Sequence, residues 1–100
     1  MNVTTLLFPA KLHQLREEKQ LYQKQIADAL SIDTPMYCRI ERGERRAKRE
    51  QITVIAKLFQ IDETELVTHW LADKLVATIG TETELAPKAF EVVLQKVKGK

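Results

Sequence analysis

Residues 22–46 read YQKQIADALSIDTPMYCRIERGERR, and this stretch decides the fold. Its segment QKQIADAL has apolar residues at helical spacing, which predicts a short helix over Gln23–Leu30. The tripeptide SID then forms a tight corner, in which Asp33 is a good N-cap because its carboxylate can accept from backbone N–H groups of the next turn. A second helix follows through TPMYCRIER, and Gly43 is placed to end it. The stretch therefore predicts two short helices joined by a three-residue corner.

Apolar residues on both sides of this stretch recur every three or four positions, which predicts further helices. Strand signals are weak, since the chain has only three glycines and lacks an Asn-Gly or Asp-Gly hairpin. One helix is expected before the stretch, from near Pro9 to about Lys19. Three are expected after it, over about 48–59, 63–79 and from about Leu85 onwards. The predicted fold class is all-α.

Length and composition are those of one compact domain. The chain has 100 residues, of which 44% are apolar and 30% charged, and no apolar run approaches the length of a membrane span. One cysteine excludes an intramolecular disulfide, and the first residues lack a secretory pattern. We therefore expect a cytoplasmic protein without a membrane partner.

Positive charge is concentrated in the N-terminal half. The net charge is only +2, yet residues 39–50, RIERGERRAKRE, contain six cations and three carboxylates. Such a run is often no more than a solvated charged surface. Its position directly after two short helices favours a second interpretation, in which the cations meet a polyanion.

The quoted stretch resembles the Cro/repressor class of bacterial helix-turn-helix domains, the Xre family, with its Q-x-x-[IL]-A…L-x-[IV]…I-[ED]-x-G core. The resemblance covers about residues 8–67, and RIERGER is its most specific part. It implies a lambda-repressor-like five-helix bundle, to which this chain adds an extra C-terminal helix. We expect residues 1–67 to form the DNA-binding core, and residues 63–100 to supply C-terminal helices for dimerisation within the same compact domain.

Three residues depart from the family pattern. Ser31 replaces the usual corner glycine, so a residue with a Cβ is expected to adopt a left-handed conformation at a cost of roughly 1 kcal/mol. Tyr22 replaces the usual Ser or Thr cap, which leaves Gln25 as the remaining half of a capping box. Tyr37 is bulkier than the usual Ile or Leu, and its hydroxyl needs water or a partner.

The resemblance also assigns residues to the DNA. The second helix of the motif enters the major groove, and Arg39 is the strongest candidate for a bidentate contact with guanine. The full base-reading set is Thr34, Pro35, Met36, Cys38 and Arg39. The expected phosphate contacts are Gln23, Arg42, Arg45, Arg46 and Arg49, with Lys48 as a further possibility. We also expect Glu44 and Glu50 to neutralise part of the run.

Two more assignments concern the assembly of the protein. Arg16 and Glu41 fall where the family commonly has an ion pair, which is expected to fix orientation more than it stabilises. The helix over 63–79 carries a wide apolar stripe, which favours a homodimer centred on Trp70, Leu71 and Phe90. The alternative is that the last helix folds back and covers the stripe within the same chain.

The expected function is a sequence-specific transcriptional regulator, most simply a repressor or autoregulator that binds an inverted repeat in double-stranded DNA as a homodimer. The alternative is an antitoxin or adaptor that uses the same fold to bind a partner protein. No catalytic residues, metal ligands or cofactors are expected, because the sequence shows no nucleophile with a base, no ligand spacing and no glycine-rich phosphate loop.

Overall fold

A computed structural model describes residues 6–99, which form six α-helices and no strand. The predicted all-α fold is thus confirmed, and each predicted helix boundary lies within two residues of the observed one. The helices are α1 (Leu7–Glu18), α2 (Gln23–Leu30), α3 (Thr34–Glu41), α4 (Arg49–Phe59), α5 (Thr64–Ile79) and α6 (Ala86–Lys98).

The hydrophobic core is built by α1 to α5 together with the segment between α3 and α4. Within the described chain, α6 contributes no buried residue. Every helix of the bundle places residues three or four positions apart on its inward side, as an amphipathic helix requires. The buried apolar residues are Phe8, Leu12, Leu15, Ile26, Ala27, Tyr37, Ile40, Ala47, Ile52, Ile55, Ala56, Phe59 and Leu66.

Three helices are closed by a left-handed residue that is not glycine, the first being Gln20 after α1 with φ 56°. Ser31 ends α2 with φ 59° and ψ 40°, and Gln60 ends α4 with φ 61° and ψ 45°. After Ser31, the N–H of Ile32 donates to the carbonyl of Ala27 over 3.0 Å, which closes the helix end. The left-handed conformation expected at the corner is confirmed, and the corner turns the chain sharply from α2 into α3.

The start of α1 is capped by a residue from α5. Leu6 precedes the helix and provides no side-chain cap. Instead, the Asp73 carboxylate accepts from the N–H of Leu7 (2.8 Å) and from the N–H of Phe8 (2.9 Å). Asp73 is only 7% exposed and Phe8 only 3%, so the bond to the Phe8 N–H satisfies a first-turn donor in a place that water barely reaches.

Helix α6 stands apart from the bundle. Most of its apolar residues are more than 40% exposed, including Val93 (43%) and Val97 (62%). The radius of gyration is 15.3 Å, whereas a compact domain of this length has about 13 Å. The last helix therefore extends the molecule rather than completing its core.

Candidate nucleic-acid interface

Helix α3 buries one face and exposes the other. Tyr37 and Ile40 lie in the core with at most 1% of their surface exposed. On the opposite side, Pro35, Arg39 and Arg42 are all exposed. These three positions are spaced i, i+4 and i+7, so they form one stripe along the outside of the helix and its C-cap.

The remaining predicted base-reading residues flank this stripe. Thr34, Met36 and Cys38 are half-buried. Asp33 fixes the start of the helix, because its carboxylate accepts from the N–H of Met36 over 2.7 Å. The outer stripe can thus approach a groove directly, whereas Cys38 lies deeper between α3 and α2.

Glu41 anchors α3 to the two preceding helices. Its carboxylate accepts from Arg16 Nε (2.7 Å) and from Gln23 Nε2 (2.6 Å). His13 Nδ1 lies 3.3 Å from the same carboxylate, and Arg16 Nη1 donates to the carbonyl of Leu21 (2.9 Å). The Glu41 side chain is 4% exposed, so these donors take the place of water around it, and the hydrogen bond that Arg16 donates to Glu41 raises the pKa of Arg16.

Gln23 has a different environment from the one expected of a phosphate contact. Both ends of its amide are used inside the protein, since Nε2 donates to Glu41 and Oε1 accepts from Cys38 Sγ over 3.0 Å. Gln23 therefore ties the first turn of α2 to the middle and the end of α3. Sequence reasoning placed it correctly at the helix start but missed this link, which is visible only once the helices are packed.

Tyr37 brings a polar group into the core beneath the reading helix. Its side chain is fully buried, and its hydroxyl has no hydrogen-bond partner among the described residues. Burial is the main reason why the pKa of Tyr37 is raised far above its usual value, and the nearby Glu41 charge adds to it. The core thus accommodates the larger side chain, and none of the described residues bonds to its hydroxyl.

Two arginines of the basic run are paired with carboxylates. Arg42 Nε lies 3.2 Å from Glu44 Oε2, and Arg49 Nη2 lies 2.7 Å from Glu63 Oε2. Thr53 also donates to Glu63 (2.7 Å), so Glu63 joins α4 to the start of α5. These hydrogen bonds lower the pKa of Glu63, and the bond to Glu63 raises that of Arg49.

Arg46 lies against an aromatic ring. Its guanidinium carbon is 4.1 Å from the centroid of the Trp70 ring, and its Nη2 donates to the Trp70 carbonyl over 3.0 Å. Trp70 Nε1 donates in turn to the Ala47 carbonyl (2.7 Å). The sequence offered no signal for this contact, because the two side chains are 24 positions apart.

The other cations of the run point to solvent. Arg39, Arg45 and Lys48 are exposed and make no ion pair with another residue of the range 6–99. Gly43 shapes the backbone between them with φ +80°, and a Cβ there would lie 3.2 Å from Leu6 Cδ1. A glycine is therefore required where α3 ends and the run continues.

The three residues predicted at a dimer interface differ in environment. Leu71 is 50% exposed, whereas Trp70 and Phe90 are half-buried. Further along α5, Leu75 (42%) and Val76 (57%) are exposed as well. The last helix does not bury this surface within the chain.

Residues 6–99 contain neither a metal-binding cluster nor a membrane-spanning helix. No group of three or more His, Cys, Asp or Glu side chains is arranged there to hold a metal ion. In the same range, no helix has both the length and the apolar character needed to cross a membrane.

Comparisons with known proteins agree with this geometry. A model of the helix-turn-helix domain family matches residues 8–68, from α1 into α5. The chain is 29% identical over 62 residues to the cryptic phage CTXphi transcriptional repressor RstR of Vibrio cholerae. That match covers 62% of this chain and 56% of the repressor, and no solved structure matches the chain. Since the family model covers more than half of its length, the chain belongs to the helix-turn-helix family, of the Xre type that its sequence resembles.

Proposed function

We propose that this protein is a DNA-binding transcriptional regulator that reads an inverted-repeat operator as a homodimer and acts as a repressor or autoregulator. The observation that carries the proposal is the exposed stripe on α3. Pro35, Arg39 and Arg42 face solvent while the other side of the same helix is locked into the core. A helix held in this way can enter the major groove as a rigid unit.

The cations around α3 support contact with the duplex backbone. Arg39 and Arg45 are exposed without an ion pair to any described residue, and Arg42 has only the exposed Glu44 as a partner. An exposed pair is worth little in water, so a phosphate can compete with Glu44 for Arg42. We assign base reading to Arg39 and phosphate contact to Arg42 and Arg45. Arg49 is already bonded to Glu63, which makes its assignment to phosphate weaker.

The exposed apolar side of α5 and α6 supports the homodimer. Leu71, Leu75 and Val76 on α5 and Val93 and Val97 on α6 are all more than 40% exposed. A two-fold contact through this surface would place two α3 helices for two half-sites about one helical turn apart. The similarity to a phage repressor is consistent with negative regulation.

Selection of bound sites from a random duplex pool tests the proposal most directly. The expected result is an enriched inverted repeat, whose spacing reports the distance between the two reading helices. Enrichment of a single unrepeated half-site would contradict the homodimer but retain the DNA reader. A pool that shows no enrichment over excess random duplex would contradict sequence-specific binding and favour a protein partner.

A further inference from the structure

Arg46 and Trp70 make a reciprocal contact that the proposed reading of DNA does not by itself explain. The Arg46 guanidinium stacks on the ring and donates to the Trp70 carbonyl, while Trp70 Nε1 donates to the carbonyl of Ala47. One stack and two hydrogen bonds therefore join residues 46–47 to the middle of α5. We call this arrangement the Arg46–Trp70 clamp.

The clamp is one of two anchors of the segment that follows α3. At the other end, Gly43 packs against Leu6 and Pro9 so closely that a Cβ would meet them at 3.2 and 3.4 Å. Ala47, beside the clamp, is 3% exposed. Between these anchors, Arg45 remains exposed. The segment 43–47 is thus fixed at both ends and presents its central guanidinium to solvent.

We infer that Arg46 is a positioning residue, which holds the segment 43–47 against Trp70 so that Arg45 is presented to the duplex backbone. This inference rests on the proposed DNA-binding function. It gives Arg46 a different role from the direct phosphate contact expected from the sequence, and it assigns Trp70 to the clamp rather than to the centre of a dimer interface.

The two possible roles of Arg46, phosphate contact and positioning, require different properties of its side chain. A phosphate accepts a lysine ammonium almost as well as a guanidinium when only charge is needed. A stack on an indole ring with a simultaneous bond to a carbonyl requires the planar guanidinium, so lysine is a poor replacement there. Arg46→Lys keeps the charge and removes the geometry, which makes it the decisive variant.

The binding experiment compares Arg46→Lys and Arg46→Ala with the wild type on a selected duplex and on a random duplex. We expect both variants to lose about 3- to 10-fold in affinity on both duplexes. The stack and the hydrogen bond hold the segment 43–47 in place, and their combined loss weakens binding by a factor of this order. Lys74→Ala removes one cation a single turn along α5 and serves as the charge-matched control, with affinity expected to be unchanged. Full affinity in Arg46→Lys with a loss in Arg46→Ala would overturn the positioning role.

A double-mutant cycle tests whether Arg46 acts through Trp70. Trp70→Leu removes the stack and the Nε1 bond but keeps the backbone carbonyl to which Arg46 donates, so the double variant is expected to lose less affinity than the sum of the two single losses. Additive losses would mean that Arg46 contacts the phosphate independently of the ring. Circular dichroism of each variant establishes that the helical fold is retained.

The fluorescence of the protein tests the clamp without DNA. Trp70 is the only tryptophan in the chain, so the emission reports the surroundings of this one ring. Loss of the guanidinium exposes one face of the ring, and we expect a red shift in both Arg46→Lys and Arg46→Ala but not in Lys74→Ala. Unchanged emission in both Arg46 variants would overturn the clamp. A wild-type protein that binds no duplex would instead contradict the proposed function.

Discussion

Arg39 is the residue on which the proposed base reading depends most. It lies exposed in the middle of the outer stripe of α3, and it makes no ion pair with any other described residue. Its guanidinium is therefore available for two parallel hydrogen bonds to a guanine edge. Such a contact discriminates between bases because no other base pair presents the same two acceptors at that place in the major groove.

Replacing Arg39 by Ala is expected to lower affinity for the selected operator by about 1–3 kcal/mol and to relax preference at one base pair. Affinity for random duplex should stay nearly the same. The comparison variant is Arg45→Ala, for which we expect a loss on every duplex and a salt slope reduced by about one unit. Titrations of each variant with operator and random duplex at several salt concentrations measure the affinities and the salt slopes. A uniform loss for Arg39→Ala would remove it from base reading.

Ser31 carries a backbone strain that a glycine would not have. Its φ of 59° lies in the left-handed region, where a Cβ is unfavourable. We expect Ser31→Gly to raise the free energy of unfolding by about 0.5 kcal/mol. The relief of backbone strain stabilises the folded protein, and the greater conformational entropy that glycine gives the unfolded chain offsets part of this gain. Chemical denaturation measures the change.

Two matched variants test this explanation of Ser31. Gln60→Gly removes the same strain at the end of α4, far from the motif corner along the chain, and is expected to stabilise by a similar amount. Ala29→Gly lies inside α2 and is expected to destabilise by about 0.5–1 kcal/mol. A Ser31→Gly protein that is less stable than the wild type would contradict the explanation.

At the scale of whole elements, the helices were predictable because their signals are local. Asp33 as a cap, Gly43 as a stop and the apolar spacing of Gln23–Leu30 each act within one or two turns of the backbone. The reading helix was therefore placed within one residue of its observed end. The contacts between elements were not predictable in the same way, because they depend on how the helices pack.

Three such contacts shape the site. Gln23 bonds to Glu41, Arg46 stacks on Trp70, and Asp73 caps the start of α1. Only the pair of Arg16 and Glu41 could be anticipated, and it came from the family resemblance rather than from the pattern of residues. The sequence thus indicated which residues surround the reading helix, while the structure shows which of them are engaged by other side chains.

Glu63 links two elements through a charge, and its effect on stability should depend on pH. Its pKa is lowered in the folded protein by Arg49 and Thr53. The carboxylate therefore stabilises the fold fully above the ordinary glutamate pKa, and this contribution is lost as the pH falls through the lowered value. We expect Glu63→Gln to reduce the acid-induced fall in unfolding free energy below about pH 4.5, measured by denaturation over a pH series.

The control for this pH dependence is Glu91→Gln on α6. Glu91 is exposed, and it makes no salt bridge with another residue in the described part of the chain. We expect its pH profile to match that of the wild type. Equal profiles for Glu63→Gln and the wild type would show that the bonds to Arg49 and Thr53 do not couple to folding.

At the scale of the whole molecule, the exposed apolar side of α5 and α6 predicts self-association. Leu71→Glu places a charge at the proposed two-fold contact, which should weaken the dimer by at least about tenfold because a buried unpaired charge is costly. Sedimentation at several concentrations measures the change. DNA binding should weaken in parallel, since a monomer occupies one half-site.

Leu58→Glu on α4 is the matched control for the dimer. Leu58 is 36% exposed, so it receives the same charge at a comparably accessible apolar position outside α5 and α6. We expect its association to equal that of the wild type. A wild-type protein that remains monomeric at the highest concentrations tested would contradict the proposed dimer and direct attention to a different protein partner for this surface.

The contact between Asp73 and α1 determines how short a working fragment can be. The family match ends at residue 68, five positions before the carboxylate that closes the start of the first helix. A fragment cut at the end of the motif would lack the carboxylate that accepts from the N–H groups of Leu7 and Phe8, and its first helix should fray at the amino end. A fragment cut within residues 80–85 keeps that acceptor and removes only the protruding last helix, so truncation for biophysical work belongs there.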